Sequence, residues 1–300
     1  MFFVATPSRN YGRFLADALV SVRDQSVRDR SACDRPGDRP GARVRHHVQD
    51  ALSDDETAEV LAAHAWPGLT VARERDRGQC DALNRAFAQA PGDAEYLGWL
   101  NADEFYLPGA FDAVRAAFER HPGVDVVYGD CLHVDEAGRL RRLVAQHPYS
   151  ATVLRSMRHL YIQTSSTFFR RRVLDAGELR LDERYRQAMD HELFVRLAAR
   201  GHRFHHLPVP LSAFRVHGEQ LTARHGASVA AREHRAVQDQ FGYRARPWAG
   251  RAVHRARKLA GGAYVREVRA WRDRGRPVRW FDPGTTADVT ARLARLGAGA

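Results

Sequence analysis

Short apolar runs alternate with helix-like repeats along the first 130 residues. A run of four or five apolar residues has the length of a buried strand, whereas apolar residues three and four positions apart form one face of a helix. Strands are therefore predicted at residues 2–5, 44–48, 69–72, 96–100 and 124–128. Helices are predicted after Asn10, a candidate N-cap, after the capping-box sequence at 53–56, and over 81–90 and 111–118. The polar segment at 28–43 is predicted to be an exposed loop.

This alternation is typical of an α/β protein with a mainly parallel sheet and helices on both faces. The carboxyl ends of parallel strands meet at one edge of the sheet, where such proteins bind ligands. The residues that follow the predicted strands are therefore expected to share one site, and most of them are polar. They are Thr6, Pro7, Ser8, Arg9, Asn10, Asp50, Arg73, Asp76, Arg77, Asn101, Asp103, Glu104 and Asp130.

Carboxylates and arginines stand side by side in this set. Carboxylates hold a hard divalent cation, and the cation together with arginines neutralises a phosphate, so the set favours a metal and a phosphate-bearing ligand. Loop acids can instead be solvated or can cap helices, and that interpretation suits Asp55 and Glu56 best. It suits Asp103 poorly, because Asp103 follows a run too apolar to lie at the surface.

Composition narrows the class of protein. Of the 300 residues, 44% are hydrophobic and 28% are charged, which is ordinary for a globular chain and excludes disorder over most of its length. No run approaches the roughly 20 apolar residues of a membrane span. Residues 1–5 are too short and lack the basic start of a signal peptide. The three widely spaced cysteines predict neither a disulfide framework nor a zinc cluster, and a cytoplasmic location fits best.

The net charge of +11 belongs almost entirely to the last quarter of the chain. Residues 226–300 carry 16 basic and 6 acidic side chains, whereas residues 1–225 carry 31 and 30. We therefore expect a neutral domain at 1–225 and a basic, mostly helical extension at 226–300, with helices over 229–241 and 251–271. Such an extension favours a homodimer contact or a peripheral position on an anionic membrane surface, although bare solvated charge is an equally good interpretation.

Eight segments appear in a fixed order. They are Thr6-Pro7-Ser8-Arg9-Asn10, residues 50–57, residues 76–84, Trp99-Leu100-Asn101-Ala102-Asp103-Glu104, and residues 126–130, 167–171, 189–193 and 214–217. Together they resemble family 2 glycosyltransferases of the GT-A fold. One such motif would carry little weight, but the resemblance covers about residues 1–224.

The resemblance implies transfer of a sugar from a UDP-sugar, with N-acetylglucosamine a common case in the family, to an acceptor hydroxyl or amine with inversion of the anomeric carbon. It implies Mn²⁺ or Mg²⁺ on Asp103 and His217, and Asp190 as the general base. The acid that reads the uracil edge corresponds to Asp50. The remaining candidate contacts with the donor are Thr6, Pro7, Arg9, Arg77, Asp81, Asn101 and Ala102. Further candidates around the site are Trp99, Glu104, Gln163 and Arg215, of which Arg215 is expected to approach the phosphates together with His217. Trp99 is expected to pack beneath the sheet or to line the sugar pocket.

Four positions depart from the family pattern. Asn101 stands where the first aspartate of a D-x-D motif is often found, which predicts weaker metal binding. Glu104 is one methylene longer than the usual aspartate. Arg9 replaces a tyrosine that stacks on uracil, and a guanidinium plane can also stack on a base. Met189 replaces the glutamate that often precedes the base.

Three other functions stay open at this point. A nucleotidyltransferase of similar topology would usually carry a glycine- and arginine-rich loop after the first strand, which residues 6–11 lack. A nucleic-acid-binding protein is not expected, because Tyr264, Trp271 and Trp280 fit a stacking platform only weakly. A non-catalytic sugar-nucleotide binder is kept open by Asn101. The acceptor is equally open among a saccharide, a lipid-linked saccharide and a small molecule.

Overall fold

The computed structural model describes residues 1–28, 44–156, 160–220, 226–243 and 246–278. The loop predicted at 28–43 lies outside these ranges except for its first residue, and so does Trp280.

Within the described ranges, nine strands join one sheet. They are β1 (Phe2–Ser8), β2 (Val44–Asp50), β3 (Leu69–Arg73), β4 (Tyr96–Trp99), β5 (Phe105–Tyr106), β6 (Val126–Val134), β7 (Leu140–Val144), β8 (Thr167–Arg170) and β9 (Phe204–Arg215). The order across the sheet is β3-β2-β1-β4-β8-β6-β9-β5, and β7 pairs with β6. β5, β7 and β8 run against the other strands, so the sheet is mainly parallel, as the sequence predicts.

Ten α-helices lie in the same ranges. They are α1 (Gly12–Arg28), α2 (Thr57–Ala63), α3 (Gln79–Ala88), α4 (Ala110–Arg120), α5 (Ala151–Ser156), α6 (Arg171–Asp175), α7 (Met189–Ala199), α8 (Gly226–Gln240), α9 (Pro247–Ala260) and α10 (Ala263–Ala270). Short 3₁₀ turns occupy Thr164–Ser166 and Trp271–Asp273. The five predicted strands are present as β1 to β4 and β6, and the four helices predicted among them are present as α1 to α4.

The central strands have an apolar core on each side. Phe2 and Val4 of β1 pack with α1 and α4, whereas Phe3 and Ala5 pack with α3 and α7. Because side chains alternate along a strand, one continuous apolar run serves both cores. Helices therefore cover both faces of the sheet, as predicted.

Strand register brings the polar strand ends together. Ser8 at the end of β1 pairs with Asp50 at the end of β2, and Asp50 pairs with Arg73 at the end of β3. Trp99 at the end of β4 pairs with Ala5. The loops that follow these four strands consequently leave the same edge of the sheet.

Gly98 allows the chain to fold back immediately after β4. A Cβ atom there would lie 2.7 Å from the Tyr106 hydroxyl and 3.1 Å from Phe168 Cε1. No side chain larger than hydrogen fits without a shift of these rings. The close approach of Tyr106 places β5 against the sheet, and the intervening segment 101–104 becomes a tight loop at the ligand-binding edge.

The fifth predicted strand is longer than its apolar run. Asp130 lies inside β6, at an irregularity in the pairing with β9, and is fully buried. Its carboxylate accepts hydrogen bonds from Arg266 Nε at 3.1 Å and from Gln146 N at 2.8 Å, and it lies 2.9 Å from His206 Nε2. The prediction that Asp130 joins the polar edge is therefore wrong, because β6 continues to Val134.

Two predicted helix caps are also wrong. The N–H of Gly12 at the start of α1 donates to Asp55 Oδ2 at 2.9 Å, so Asn10 is not the residue that satisfies it. Asp55 Oδ1 accepts the N–H of Thr57 at 3.0 Å at the start of α2, whereas Ser53 bonds to the end of β2. One aspartate thus serves the first turns of both helices.

The basic extension is attached to the sheet domain along its whole described length. α8 packs on α7, α9 packs on α5, and α10 packs on β7. Within the helical stretch predicted over 251–271, Gly261 and Gly262 separate α9 from α10, and Gly262 takes a positive φ of 64°.

Arg215 at the end of β9 joins four segments of the chain from a fully buried position. Its guanidinium forms an ion pair with Asp17 of α1. It donates to the carbonyl oxygens of Asp103 at 3.2 Å and of Glu136 at 2.6 Å, and it lies 4.7 Å from the centre of the Phe14 ring. The loop after β4 is therefore tied to α1 and β9 through one cation.

Replacement of Asp17 is expected to destabilise the fold strongly. Asp17→Ala removes the carboxylate bound to a buried guanidinium, which typically lowers the free energy of unfolding by about 3–5 kcal/mol. Urea denaturation measures this change. The matched control is Asp175→Ala, which breaks the half-exposed pair with Arg171 and is expected to cost no more than about 1 kcal/mol. Equal losses in the two variants would contradict this account of Arg215.

Candidate functional site

A cavity of about 630 Å³ opens at the edge of the sheet where β1, β2 and β4 end. Its walls are the loops after these strands, the start of α7, and the segment before the first 3₁₀ turn. Most of the residues predicted from the sequence line it. They are Pro7, Arg9, Arg77, Trp99, Asn101, Ala102, Asp103, Glu104, Gln163 and Asp190.

Asp103 of the cavity lining contacts His217 although 114 positions separate them, and His217 itself lines a separate, neighbouring cavity. Asp103 is buried in the loop after β4, and its Oδ2 lies 2.9 Å from Nε2 of His217, which follows β9. Among the described residues, no group of three or more histidine, cysteine, aspartate or glutamate side chains is arranged to hold a metal. A cation on this pair would therefore need phosphate oxygens or water to complete its coordination.

Glu104 is a buried carboxylate beside this pair. Neither of its carboxylate oxygens has a hydrogen-bond partner among the described residues. Burial and the neighbouring Asp103 charge raise the pKa of Glu104 to about 8. Asn101 and Ser165 lie close enough to the carboxyl group to moderate this rise, and a divalent cation nearby would favour its charged form. The Asp103–His217 pair can thus offer two ligands to a divalent cation, and Glu104 is a neighbouring carboxyl group rather than a third ligand.

Asn101 is already engaged by other side chains. Its Oδ1 accepts hydrogen bonds from Gln79 Nε2 and from Trp99 Nε1, each at 2.8 Å. A carbonyl oxygen has two lone pairs, and these two donors occupy both. Asn101 therefore fixes the loop in which Asp103 lies. Trp99 is buried in the core and borders the cavity as well.

Asp81 holds Arg77 at the cavity wall. It accepts hydrogen bonds from the backbone N–H and the guanidinium of Arg77, both at 3.0 Å, and pairs with Arg85 at 2.9 Å. These bonds, those from Arg77 above all, lower the pKa of Asp81 to about 2. Asp81 itself is not among the lining residues. Arg77 lines the cavity together with Arg9 and Arg186, and the sequence analysis missed Arg186. The Arg77 guanidinium also pairs with Glu183 at 3.0 Å.

Two predicted donor contacts, Thr6 and Asp50, lie beneath the cavity floor. Asp50 is fully buried and accepts hydrogen bonds from Arg73 Nε at 3.0 Å and Ser53 N at 3.1 Å. Thr6 Oγ1 lies 2.8 Å from His46 Nε2. The next residue after Thr6 is Pro7 and the next after Asp50 is Ala51, and both of these neighbours line the cavity.

Arg215 also stays outside the cavity lining. It is expected from the sequence to approach a phosphate, yet its guanidinium is fully buried and bonds to the carbonyl oxygen of Asp103. Its effect on the site therefore passes through the position of Asp103.

Asp190 lies at the start of α7 and lines the same cavity as the residues at the strand ends. Burial raises the pKa of Asp190 to about 6, although the backbone N–H of His191 donates to its Oδ1 at 2.7 Å. A carboxylate with this pKa is mostly ionised at neutral pH and is more basic than an ordinary aspartate. Both properties suit a general base.

Glu233 of α8 holds the loop that leads to Asp190. One of its oxygens, Oε2, accepts hydrogen bonds from the backbone N–H groups of Arg186, Gln187 and Ala188 at 3.0, 2.7 and 3.0 Å. Arg186 and Gln187 line the cavity next to Asp190. The sequence analysis missed Glu233, because no local spacing signals a contact across about 45 positions.

Comparisons with known proteins show which family this chain resembles. Residues 3–177 match the profile described as Glycosyl transferase family 2. The amylovoran biosynthesis glycosyltransferase AmsB of Erwinia amylovora is 26% identical over 218 residues, which cover 66% of this chain and 71% of that protein. The succinoglycan biosynthesis protein ExoU of Rhizobium meliloti is 28% identical over 195 residues, 59% of this chain and 55% of that protein.

The fold is also similar to that of a solved structure. The structure of S. aureus TarS 1–349 in complex with UDP-GlcNAc superposes with a TM-score of 0.56 at 16% identity, and the match covers 75% of this chain and 61% of that one. The chain thus spans only part of several relatives, and at this identity the likeness concerns the fold alone. Since the profile match covers more than half of its length, the chain belongs to glycosyl transferase family 2.

Proposed function

We propose that this protein transfers a sugar from a UDP-sugar to a hydroxyl or amine of a saccharide acceptor, with inversion at the anomeric carbon. The observation that carries the proposal is that one cavity is lined both by Asp103, which is bonded to His217, and by Asp190. The TarS structures hold UDP and UDP-GlcNAc, so UDP-GlcNAc is the first donor to test. The named relatives act in polysaccharide biosynthesis, which favours a saccharide acceptor.

The leaving diphosphate belongs at the strand ends. Asp103 and His217, with Glu104 beside them, would hold Mn²⁺ or Mg²⁺, which supplies positive charge to the departing diphosphate. The guanidinium of Arg77, fixed by Asp81, adds a second source of positive charge. The nucleoside then lies over Pro7 and Ala51, where the guanidinium plane of Arg9 is available to stack on the base.

The acceptor belongs at the other wall. Asp190 takes the proton from the acceptor group as this group attacks the anomeric carbon from the side opposite the diphosphate. Gln163 and Thr164 line the cavity and offer hydrogen bonds to a saccharide. A base placed across the cavity from the leaving group suits direct displacement, and such a displacement inverts the anomeric carbon.

A second candidate is a sugar-nucleotide binder without transferase activity. Asn101 favours it, because its carbonyl oxygen is occupied by Gln79 and Trp99 and contributes no charge to a cation. Incubation with UDP-GlcNAc and an acceptor panel separates the two candidates: the enzyme releases UDP with turnover, and the binder does not.

Binding of UDP is expected to depend on a divalent cation through Asp103. Calorimetric titration should give UDP affinity about tenfold or more higher with Mn²⁺ than without it, because the cation neutralises the diphosphate. Asp103→Asn keeps the shape, removes the charge, and should abolish this gain. Asp175→Asn, on an exposed helix turn, serves as the control. Equal UDP affinity with and without Mn²⁺ in the wild type would contradict the metal assignment.

The rate of UDP release is expected to follow the ionisation of Asp190. Only the carboxylate can accept a proton, and its pKa is raised to about 6 by burial. The value of kcat/KM should therefore fall about tenfold for each pH unit below 6 and level off above it. Asp190→Asn should lower kcat by about 10²–10⁴ while UDP affinity is retained. A pH profile that is flat between pH 5 and 7, roughly one unit either side of that pKa, would refute this role.

Loss of Glu233 is expected to slow transfer without weakening donor binding. Glu233→Ala frees three backbone N–H groups next to Asp190, so kcat should fall about tenfold or more at unchanged KM for the donor. Glu233→Gln should recover most of the rate, because its amide oxygen still accepts hydrogen bonds. Asp239→Ala, on the exposed side of the same helix, is the control. If Glu233→Ala lowers thermal stability but leaves kcat unchanged, Glu233 supports only the fold.

A further inference from the structure

The stretch that contains α9 and α10 exposes several large apolar side chains and buries two cationic ones. Trp248, Leu259, Val268 and Trp271 are 69%, 73%, 70% and 65% exposed. The same two helices bury Lys258 and Arg266 against the sheet domain. A soluble protein ordinarily buries such apolar side chains and solvates such charges.

Both buried cations have acidic partners, so their burial is part of an ordered structure. Arg266 Nε lies 3.1 Å from Asp130 Oδ2, and its Nη2 donates to the carbonyl oxygen of Gln146 at 3.0 Å. Lys258 Nζ lies 2.5 Å from Glu267 Oε1. Arg266 thus fastens α10 to the body, and the Lys258–Glu267 pair joins α9 to α10. Glu267 Oε1 also accepts a hydrogen bond from the backbone N–H of Ala145 at 3.1 Å, which is a second attachment to the body.

A rim of arginines surrounds the exposed apolar residues. Between residues 246 and 278 the only two acids are Glu267, paired with Lys258, and Asp273, paired with Arg276. Within the same described stretch, eight arginines are exposed: Arg246, Arg251, Arg255, Arg257, Arg269, Arg272, Arg274 and Arg276. The outer face, defined as these arginines with Trp248, Leu259, Tyr264, Val265, Val268 and Trp271, is thus apolar and strongly positive.

We propose that the outer face docks on the surface of an anionic lipid bilayer. Tryptophan and aliphatic side chains enter the boundary between headgroups and acyl chains, while arginines bind the negative headgroups. The positive charge of the outer face is complementary to an anionic bilayer, whereas a neutral surface would not balance it. In the part of the chain that the structure describes, no helix is both long and apolar enough to cross a membrane, so α9 and α10 would lie along it.

Two other occupants fit the outer face less well. A second copy of the chain, in a two-fold dimer, would bring one arginine rim against an identical one, which costs electrostatic energy. A nucleic acid would satisfy the arginines and stack on Trp248 and Trp271. It offers no apolar phase to Leu259, Val265 and Val268, which a bilayer does.

Co-sedimentation of the full chain with vesicles, in the absence of donor and acceptor, tests the proposal independently of glycosyl transfer. Binding to phosphatidylcholine vesicles that contain phosphatidylglycerol should be at least about tenfold tighter than to phosphatidylcholine alone, and added salt should weaken it. Val268→Ser combined with Trp271→Ser should reduce binding about tenfold or more. Val71→Ser removes a 41% exposed valine on β3 and should leave it unchanged.

The charge contribution has its own matched pair. Arg272→Glu should weaken binding to the anionic vesicles, whereas Arg120→Glu, at the exposed end of α4, should not. All four variants change exposed residues, so each should keep the thermal midpoint of the wild type. Equal effects of the outer-face and control variants would overturn the proposal. So would a dimer that the Val268→Ser, Trp271→Ser variant dissociates, or tighter binding to single-stranded DNA than to vesicles.

Discussion

The architecture of the site depends on one buried cation. Arg215 ends β9, pairs with Asp17 on α1, and donates to the backbone of Asp103. His217 lies two residues further along the same segment and meets the Asp103 side chain at 2.9 Å. The guanidinium therefore sets the distance between the two groups that we assign to a cation. A charge so deeply buried is tolerable only while its partners stay in place, which makes the arrangement rigid.

The C-terminal extension has two different relations to this site. Through Glu233 it reaches the cavity, because a single carboxylate oxygen gathers three backbone N–H groups directly before Asp190. Through Arg266 it is fixed to the buried Asp130 of β6, which leaves its apolar side facing outward. The extension is thus joined on its inner side to the part of the cavity lining that contains Asp190, and its outer side can meet a further surface.

Much of the fold could be predicted because it rests on local patterns. Apolar runs located β1 to β4, and the residues after them do share one edge. The sequence could not reveal pairings between distant parts of the chain. Asp130 follows an apolar run and so resembles an acid at a strand end, but pairing with β9 continues β6 to Val134. Glu233 belongs to no sequence motif. Arg215 was placed near the phosphates from its neighbourhood in the chain, whereas its pairing with Asp17 depends on the packing of β9 against α1.

The central claim is that Asp103 and His217 hold a divalent cation against the diphosphate of a nucleotide sugar. Anomalous diffraction from crystals grown with UDP and Mn²⁺ tests it most directly. The account predicts one manganese peak bonded to the Asp103 carboxylate and to His217 Nε2, with diphosphate oxygens on its open side. Bound UDP with no manganese at this pair, or with manganese bound elsewhere in the cavity, would contradict it.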